Sequence, residues 1–160
     1  MGKYGIDVSE HQGVIDWTKV RNSGIDFAIL RAGYGRVISQ KDSRFEEYYA
    51  ECQKNNIPVG AYWYSYATTV EEVKQEAEVF LKVITGKKFA YPVYFDLEEP
   101  KQLALGKEKC SEIAEIFLKA VEKSGYFVGL YMSKSHLETH MSEKIRNRYA
   151  VWVAHYGVYC

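Results

Sequence analysis

The chain lacks the features that define several large classes of protein. Its three cysteines, Cys52, Cys110 and Cys160, are too few and too widely spaced for a disulfide framework or a zinc site. Two of them fall on apolar faces of predicted helices, where we expect buried thiols. No apolar run approaches the roughly 20 residues of a membrane-spanning helix, and the first residues carry no signal-peptide core. We therefore expect no membrane span. We also expect that export, if it occurs, is not encoded in this chain.

The chain also lacks net charge. Its 21 basic and 21 acidic residues cancel, and they form no block of like charge. Binding to nucleic acid needs a clustered basic surface, so we expect no nucleic-acid partner. The length of 160 residues and the 47% hydrophobic content are typical of one globular domain with a substantial core. We expect residues 1–160 to form a single domain.

Polar helices that end at glycine or asparagine alternate with apolar strands along the chain. Gly24, Asn56 and Gly125 mark three such helix ends, and each is followed directly by a strand-like run. Two long amphipathic helices are predicted over about 71–85 and 107–123. The pattern predicts six strands, at about 4–9, 26–33, 58–66, 91–98, 126–132 and 149–156.

Several predicted strands are apolar on both faces, which favours parallel strands covered by helices. A doubly wound open sheet is one such fold, but no glycine-rich phosphate loop follows the first strand. The sequence therefore favours an α/β barrel, which places its functional groups at the C-terminal ends of its strands. The residues at those ends are Asp7, Tyr34, Tyr66, Asp96, Glu98, Ser133 and Tyr156.

The segment Tyr91 to Pro100 carries the strongest chemical signal. An apolar run ends in Asp96 and Glu98, and strand alternation would turn these two side chains the same way. Paired carboxylates at the end of a buried strand suit the cleavage of a glycosidic bond, in which one of them protonates the leaving oxygen. We therefore predict a glycosidase. The spacing does not distinguish retention from inversion, because the two classes differ by only a few Å in carboxyl separation.

Aromatic residues are abundant, with 14 Tyr and 3 Trp. Such side chains pack against the C–H faces of sugar rings, although they are also common in any protein core or rim. We favour Tyr62, Tyr131 and Trp152 as sugar contacts. The further candidates near strand ends are Tyr34, Tyr64 and Tyr156.

A second motif, His136-Leu137-Glu138-Thr139-His140, places two histidines four residues apart and is superficially similar to a zinc-protease signature. In that signature the glutamate follows the first histidine directly, and here it does not. A metal-dependent hydrolase would also need a third ligand, and the sequence offers none. We interpret the motif as a surface helix and predict no metal and no cofactor.

Five motifs occur in order along essentially the whole chain: GIDVSEHQG at 5–13, IDW at 15–17, FAILRAGYG at 27–35, YFDLE at 94–98 and VWVAHY at 151–156. Together they closely resemble the family 25 glycoside hydrolases, the N-acetylmuramidases or lysozymes of bacteria, phages and some fungi. The resemblance implies a flattened, TIM-like (β/α) barrel. It also implies cleavage of the β-1,4 bond between N-acetylmuramic acid and N-acetylglucosamine in bacterial peptidoglycan, at the cell wall or outside the cell.

The resemblance also implies roles for the acidic residues. Glu98 corresponds to the general acid, Asp96 to the group that steadies developing positive charge or orients the substrate's N-acetyl group, and Asp7 to a carboxylate in the same pocket. Three crowded carboxylates cannot all ionise freely, so we expect one raised pKa and favour Glu98 for it. Asp7 has an alternative role, since it could cap the following loop through an Asx turn. Arg31 is expected to pair with a carboxylate inside the barrel.

The chain departs from the family at its end. Family members generally continue for several tens of residues beyond the last motif and add the strands that close the barrel. We therefore expect a C-terminally truncated domain whose barrel lacks its last strands. Two functions stay open at this point: an active muramidase, and a non-catalytic or incomplete domain that binds peptidoglycan.

Overall fold

A computed structural model describes residues 4–154 of the chain. Its strands are β1 (Gly5–Val8), β2 (Phe27–Tyr34), β3 (Val59–Tyr64), β4 (Val93–Asp96), β5 (Val128–Ser133) and β6 (Ala150–Ala154). Its α-helices are α1 (Trp17–Asn22), α2 (Phe45–Lys54), α3 (Val70–Ile84), α4 (Pro100–Leu103), α5 (Lys107–Lys123), α6 (Lys134–His140) and α7 (Glu143–Arg148). Short 3₁₀ turns span Glu10–Gln12 and Ile38–Gln40.

The strands form one parallel sheet in sequential order from β1 to β6. A doubly wound sheet reverses its strand order at a switch point, and no reversal occurs among residues 4–154. The sheet curls as half of a barrel, so the predicted α/β barrel class is confirmed. All six predicted strands are present, although residues 155 and 156 of the last one lie outside the described range.

The predicted helix ends are confirmed by the backbone. Gly24, Asn56 and Gly125 have φ angles of 89°, 55° and 100°, the left-handed conformation that glycine and asparagine tolerate best. At the start of α3 the Thr69 hydroxyl accepts a hydrogen bond from the backbone N–H of Glu72 at 3.1 Å. The Glu72 carboxylate accepts from the N–H of Thr68 at 2.9 Å, one residue before the position that a regular capping box uses.

The main core lies between the sheet and helices α3 and α5. Trp63 and Phe95 point from β3 and β4 toward the helices, where Phe80 of α3 and Phe117 of α5 meet them. The ring centroids of Phe95 and Phe117 are 4.4 Å apart, and those of Phe80 and Phe117 are 5.4 Å apart. All four side chains are buried. This aromatic cluster fixes the helices against the outer face of the strands.

The two described cysteines are part of this buried interior. Cys52 and Cys110 are fully buried free thiols, as predicted. Burial raises the pKa of Cys52 to about 12, which makes it an unreactive core group. Cys160 lies outside the described residues. Within residues 4–154, no helix is long and apolar enough to cross a membrane.

We expect Phe117→Ala to destabilise the fold by about 3–5 kcal/mol, because it removes a buried ring between two helices and the sheet. Urea denaturation, followed by circular dichroism, measures the change. Phe127→Ala is the matched control, since the Phe127 side chain is 67% exposed and its loss should alter the unfolding free energy by less than about 0.5 kcal/mol. Equal losses in the two variants would contradict the location of the core.

Candidate active site

The register of the parallel strands places four predicted site residues in one row. Tyr64 of β3 pairs with Asp96 of β4, Asp96 pairs with Tyr131 of β5, and Tyr131 pairs with Trp152 of β6. Residues at paired positions point to the same face of a sheet, and here that face is opposite to the one that Phe95 uses. The row therefore crosses the concave face of the sheet near the C-terminal ends of the strands.

A cavity of about 340 Å³ lies over this row. It is lined by Asp7, Ser9, His11, Arg31, Tyr62, Tyr64, Asp96, Glu98, Tyr131 and Trp152. The structure thus brings together all three predicted catalytic carboxyls and four of the six predicted aromatic contacts.

Tyr34 is not among the residues that line this cavity. Tyr34 packs at the rim, where its ring lies edge-on to Tyr66 at 6.0 Å. The register between β2 and β3 shifts between Arg31 and Gly33, and beyond the shift Tyr34 pairs with Tyr64, the first residue of the row. As a sugar contact, Tyr34 stays a prediction. Tyr156 lies outside the described residues.

Sequence reasoning did not select Ser9 and His11 as site residues. Both belong to the turn after β1, where the N–H of His11 donates to the Ser9 hydroxyl at 3.3 Å. The Ser9 N–H in turn donates to the side chain of Gln12 at 2.6 Å. The signal was their position directly after the strand that ends near Asp7, since such loops surround the mouth of an α/β barrel.

Arg31 forms the ion pair that the sequence predicts. Its Nε donates to Asp42 Oδ2 at 2.9 Å, and its Nη2 donates to Glu10 Oε1 at 2.9 Å. The side chain of Asp42 is fully buried and also accepts the N–H of Glu10 at 3.0 Å. This network fixes one wall of the cavity to the turn that carries Ser9 and His11.

The carboxyls differ in their surroundings. β4 ends at Asp96, so Glu98 lies in the loop beyond the strand. The predicted strand at 91–98 included Glu98 and was therefore too long at this end. The Asp96 side chain is buried, whereas Glu98 is only half-buried at the cavity. Asp7 stays exposed on the other side of the cavity mouth. A deep carboxyl is thus flanked by two carboxyls that solvent or a ligand can reach.

The raised pKa values fall on Asp96 and Asp7. Burial, the charge of Glu98 and a hydrogen bond with Glu98 raise the pKa of Asp96 well above its ordinary value, with smaller contributions from Asp7 and Glu99. Neighbouring protein partly desolvates Asp7 despite its open side, and this effect, together with the charge of Glu98, raises its pKa as well. Sequence reasoning favoured Glu98 for a raised pKa and did not select Asp96. The reason is that the burial depth of Asp96 cannot be inferred from the motif.

One oxygen of Asp96 is left without a partner by the described residues. Asp96 Oδ1 is buried and has no hydrogen-bond partner within the described part of the chain. A buried polar atom without a partner is costly and therefore uncommon in folded proteins. Its position in the cavity wall makes it a natural partner for a polar group of a bound molecule.

The aromatic residues form a wall beside the carboxyls. The rings of Tyr62 and Tyr131 are stacked with centroids 6.3 Å apart, and Trp152 meets Tyr131 edge-on at 4.8 Å. All three are half-buried, so part of each ring faces the cavity. Burial raises the pKa of Tyr62 and Tyr64, and their hydroxyls stay protonated and able to donate hydrogen bonds. The cavity thus combines flat apolar rings with polar donors and acid groups.

A larger cavity of about 450 Å³ lies near the N-terminal end of β3, away from the carboxyls. Residues such as Pro58, Phe89 and Lys88 line it, and no acidic side chain is among its lining residues. We assign the chemistry to the smaller cavity, because three carboxyls and four aromatic rings meet there.

His136 and His140, the two histidines of the zinc-protease-like motif, lie together on α6 with ring centroids 5.4 Å apart. His136 is hydrogen-bonded to the Ser133 hydroxyl at 2.8 Å and His140 to the Thr139 hydroxyl at 2.7 Å. Within residues 4–154, no third metal-ligating side chain joins them.

The comparison with known sequences decides the family. The profile described as "Glycosyl hydrolases family 25" matches residues 6–159. The chain belongs to this family. The five motifs that suggested it lie in β1 and the turn after it, at the start of α1, in β2, in β4 and the loop beyond it, and in β6, with residues 155 and 156 outside the described range.

One relative matches this family 25 chain over nearly its whole length. The uncharacterized protein YegX of Escherichia coli O157:H7 is 32% identical over 159 residues, which cover 96% of this chain and 56% of that protein. The chain therefore spans about half the length of this relative.

Solved structures share the fold. The CTP1L endolysin has a TM-score of 0.80 and 27% identity over 95% of this chain and 52% of its own. The modular autolysin LytC from Streptococcus pneumoniae, solved with a synthetic peptidoglycan ligand, has a TM-score of 0.77 and 27% identity over 86% of this chain and 34% of its own.

We expect Asp96→Asn to make the family 25 chain more stable than wild type at pH 8, with a smaller difference at pH 4. A raised pKa in the folded state means that Asp96 favours folding at low pH, and that this contribution is lost as the pH rises through its folded-state pKa. Asparagine cannot ionise, so the variant avoids that loss. Urea midpoints at the two pH values measure the effect.

The exposed Glu108 provides the control for this experiment. Glu108→Gln removes a carboxylate that folding does not bury, so its difference from wild type should be small at both pH values. A difference between Asp96→Asn and wild type that does not grow with pH would contradict the raised pKa of Asp96.

Proposed function

We propose that this chain hydrolyses the glycan strands of peptidoglycan by cleaving the β-1,4 bond between N-acetylmuramic acid and N-acetylglucosamine. One observation carries the proposal: Asp7, Asp96 and Glu98 meet beside an aromatic wall in a single cavity at the C-terminal edge of the sheet. Acid groups for the bond and flat rings for the sugars are the two requirements of a glycosidase site.

Glu98 is the proton donor in this proposal. The hydrogen bond between Asp96 and Glu98 lets the pair hold one proton at a pH at which an exposed aspartate has lost it. Asp96 is 3% exposed, too deep to reach a glycosidic oxygen, whereas Glu98 is half-buried at the cavity. The pair therefore delivers its proton to the leaving oxygen through Glu98.

Asp96 has a second role toward the sugar. As the C–O bond breaks, positive charge develops at the anomeric carbon, and a negatively charged Asp96 stabilises it once the proton has left the pair. A water molecule then adds to that carbon and returns a proton to the pair. The partnerless Oδ1 suits the N-acetyl group of the substrate, whose amide can both donate and accept a hydrogen bond. Asp7, near the C-terminal end of β1, contributes further negative charge to the same cavity and keeps the pair protonated.

The relatives point to the same substrate class. One structural neighbour is an endolysin, and another is an autolysin that was solved with a synthetic peptidoglycan ligand. Peptidoglycan is the polymer that brings N-acetylated sugars to such a site, so we place the chain's action at the bacterial cell wall. The neutral balance of 21 basic and 21 acidic residues suits a carbohydrate partner better than a polyanion.

The catalytic test is the release of reducing ends from purified peptidoglycan by wild type and by Glu98→Gln. Glutamine keeps the shape of Glu98 but cannot donate the proton, so we expect turnover to fall at least about 100-fold. The exposed Glu108→Gln is the matched control and should keep wild-type activity.

The same assay separates the alternatives. Full activity of Glu98→Gln would overturn the role of Glu98. If wild type sediments with the wall material but releases no reducing ends, the chain is a peptidoglycan-binding domain without catalytic activity.

We expect Trp152→Ala to raise KM for soluble glycan strands roughly 2- to 10-fold, because an aromatic contact contributes about 0.5–1.5 kcal/mol. Steady-state kinetics on strands freed of peptide cross-links measures it. Phe127→Ala removes an exposed ring at the N-terminal end of β5, whereas the cavity lies near the C-terminal ends of the strands, and it should leave KM unchanged. Identical KM values for Trp152→Ala and wild type would exclude Trp152 as a sugar contact.

A further inference from the structure

A buried carboxyl lies outside the cavity and has no part in the chemistry described so far. Glu76 projects from α3 and is only 1% exposed. A buried carboxylate is unfavourable unless it is well hydrogen-bonded, so its partners indicate its purpose. Those partners belong to the loops that carry the site.

The two oxygens of Glu76 hold the loop after β3. Its Oε1 accepts a hydrogen bond from the Ser65 hydroxyl at 2.6 Å, and its Oε2 accepts one from the N–H of Tyr66 at 2.9 Å. These residues follow Tyr64, which lines the cavity. One carboxylate therefore fixes the backbone immediately beyond an aromatic wall residue.

A second connection runs from Ser65 to the loop after β4. The fully buried Gln102 donates its Nε2 to the Ser65 hydroxyl at 2.8 Å and to the carbonyl of Ala67 at 2.9 Å. Its Oε1 accepts the N–H of Glu99 at 3.3 Å. Glu99 is the residue directly after Glu98.

The loop after β4 is anchored on both sides of Glu98. On one side the N–H of Leu97 donates to the carbonyl of Tyr131 at 3.3 Å, which continues the sheet pairing. On the other side Glu99 is held by Gln102, and Gln102 is oriented by Ser65. Only the second anchor depends on side chains, and it leads back to Glu76.

We propose that Glu76 is a positioning residue for the active site, which holds Glu98 through Ser65 and Gln102 and holds Tyr64 through the backbone of Tyr66. The inference rests on the proposed hydrolase function, since it assigns Glu76 to the same site. It adds a carboxyl that touches neither substrate nor reacting atoms.

The network needs two acceptor oxygens at position 76. The Ser65 hydroxyl already accepts from Gln102 and from the N–H of Ala67 at 3.2 Å, so its own proton must go to Glu76. The N–H of Tyr66 cannot turn away and also needs an acceptor. A glutamine has one acceptor oxygen and would bring its NH₂ group against one of these two donors.

Stability alone does not explain this carboxylate. Burial raises the pKa of Glu76 to about 7, more than the hydrogen bonds from Ser65 and Tyr66 lower it. The ionised group is therefore a net cost to the folded state near neutral pH. Such a cost is typical of residues that serve a site rather than the fold.

Glu76→Gln is the test, with Glu78→Gln as the matched control, because Glu78 is an exposed carboxylate on the same helix. We expect Glu76→Gln to lower kcat on soluble glycan strands about 10- to 100-fold with little change in KM, since a small displacement of a catalytic group has effects of this size. Glu78→Gln should match wild type. Rates are expressed per folded molecule, with the folded fraction taken from circular dichroism.

Gln102→Met provides a second variant that fills the same space and interrupts the connection beyond Ser65. It should lower kcat in the same way and keeps the test open if Glu76→Gln does not fold. If both variants fold, the double variant should lose little more than the larger single loss, because the two residues act in one network.

An amide spectrum tests the connection without catalysis. In ¹H–¹⁵N spectra the Tyr66 and Glu99 signals should move in Glu76→Gln and stay in place in Glu78→Gln. An unmoved Glu99 signal, or a wild-type kcat in Glu76→Gln, would overturn the role of Glu76 while leaving the hydrolase in place. An inactive wild type would instead overturn the proposed function, and the positioning role would fall with it.

Discussion

Hydrogen bonding between parallel strands is the constraint on which the site depends. The ladder from β3 to β6 pairs Tyr64, Asp96, Tyr131 and Trp152 in one row, so the backbone alone decides that they share a face. A shift of one residue in any of these strands would turn its contribution toward the helices. Strand register therefore decides which side chains face the cavity, independently of the contacts that those side chains make.

The same strands hold the apolar core on their other face. β4 alternates Val93 and Phe95 toward the helices with Tyr94 and Asp96 on the concave face. Burying a carboxyl such as Asp96 beside other acids disfavours folding, and the aromatic packing of Phe95 against α5 lies directly behind it. The site and its apolar support are thus neighbours along four residues of the chain. The favourable packing on the helix side offsets the free-energy cost of the buried carboxyl on the cavity side.

Periodicity and helix-end signals predict most of this arrangement. The six strands, the helix end at Asn56 and the pairing of Arg31 with a carboxylate follow from local pattern and from charge, although the sequence did not identify Asp42 as the partner. The register shift within β2 does not follow, because it leaves no mark in residue type. Nor does the depth of Asp96 relative to Glu98, which depends on where the strand stops and how the loop turns.

Glu98 lies just beyond the strand, and this position explains why the loops around it need their own anchors. A side chain on a strand inherits its place from the ladder, whereas a loop residue must be held by specific contacts. The backbone bond of Leu97 supplies one contact, and the buried side chain of Gln102 supplies the other. Asp96 is consequently held by the strand ladder, whereas Glu98 is held by the hydrogen bonds on either side of it in the loop.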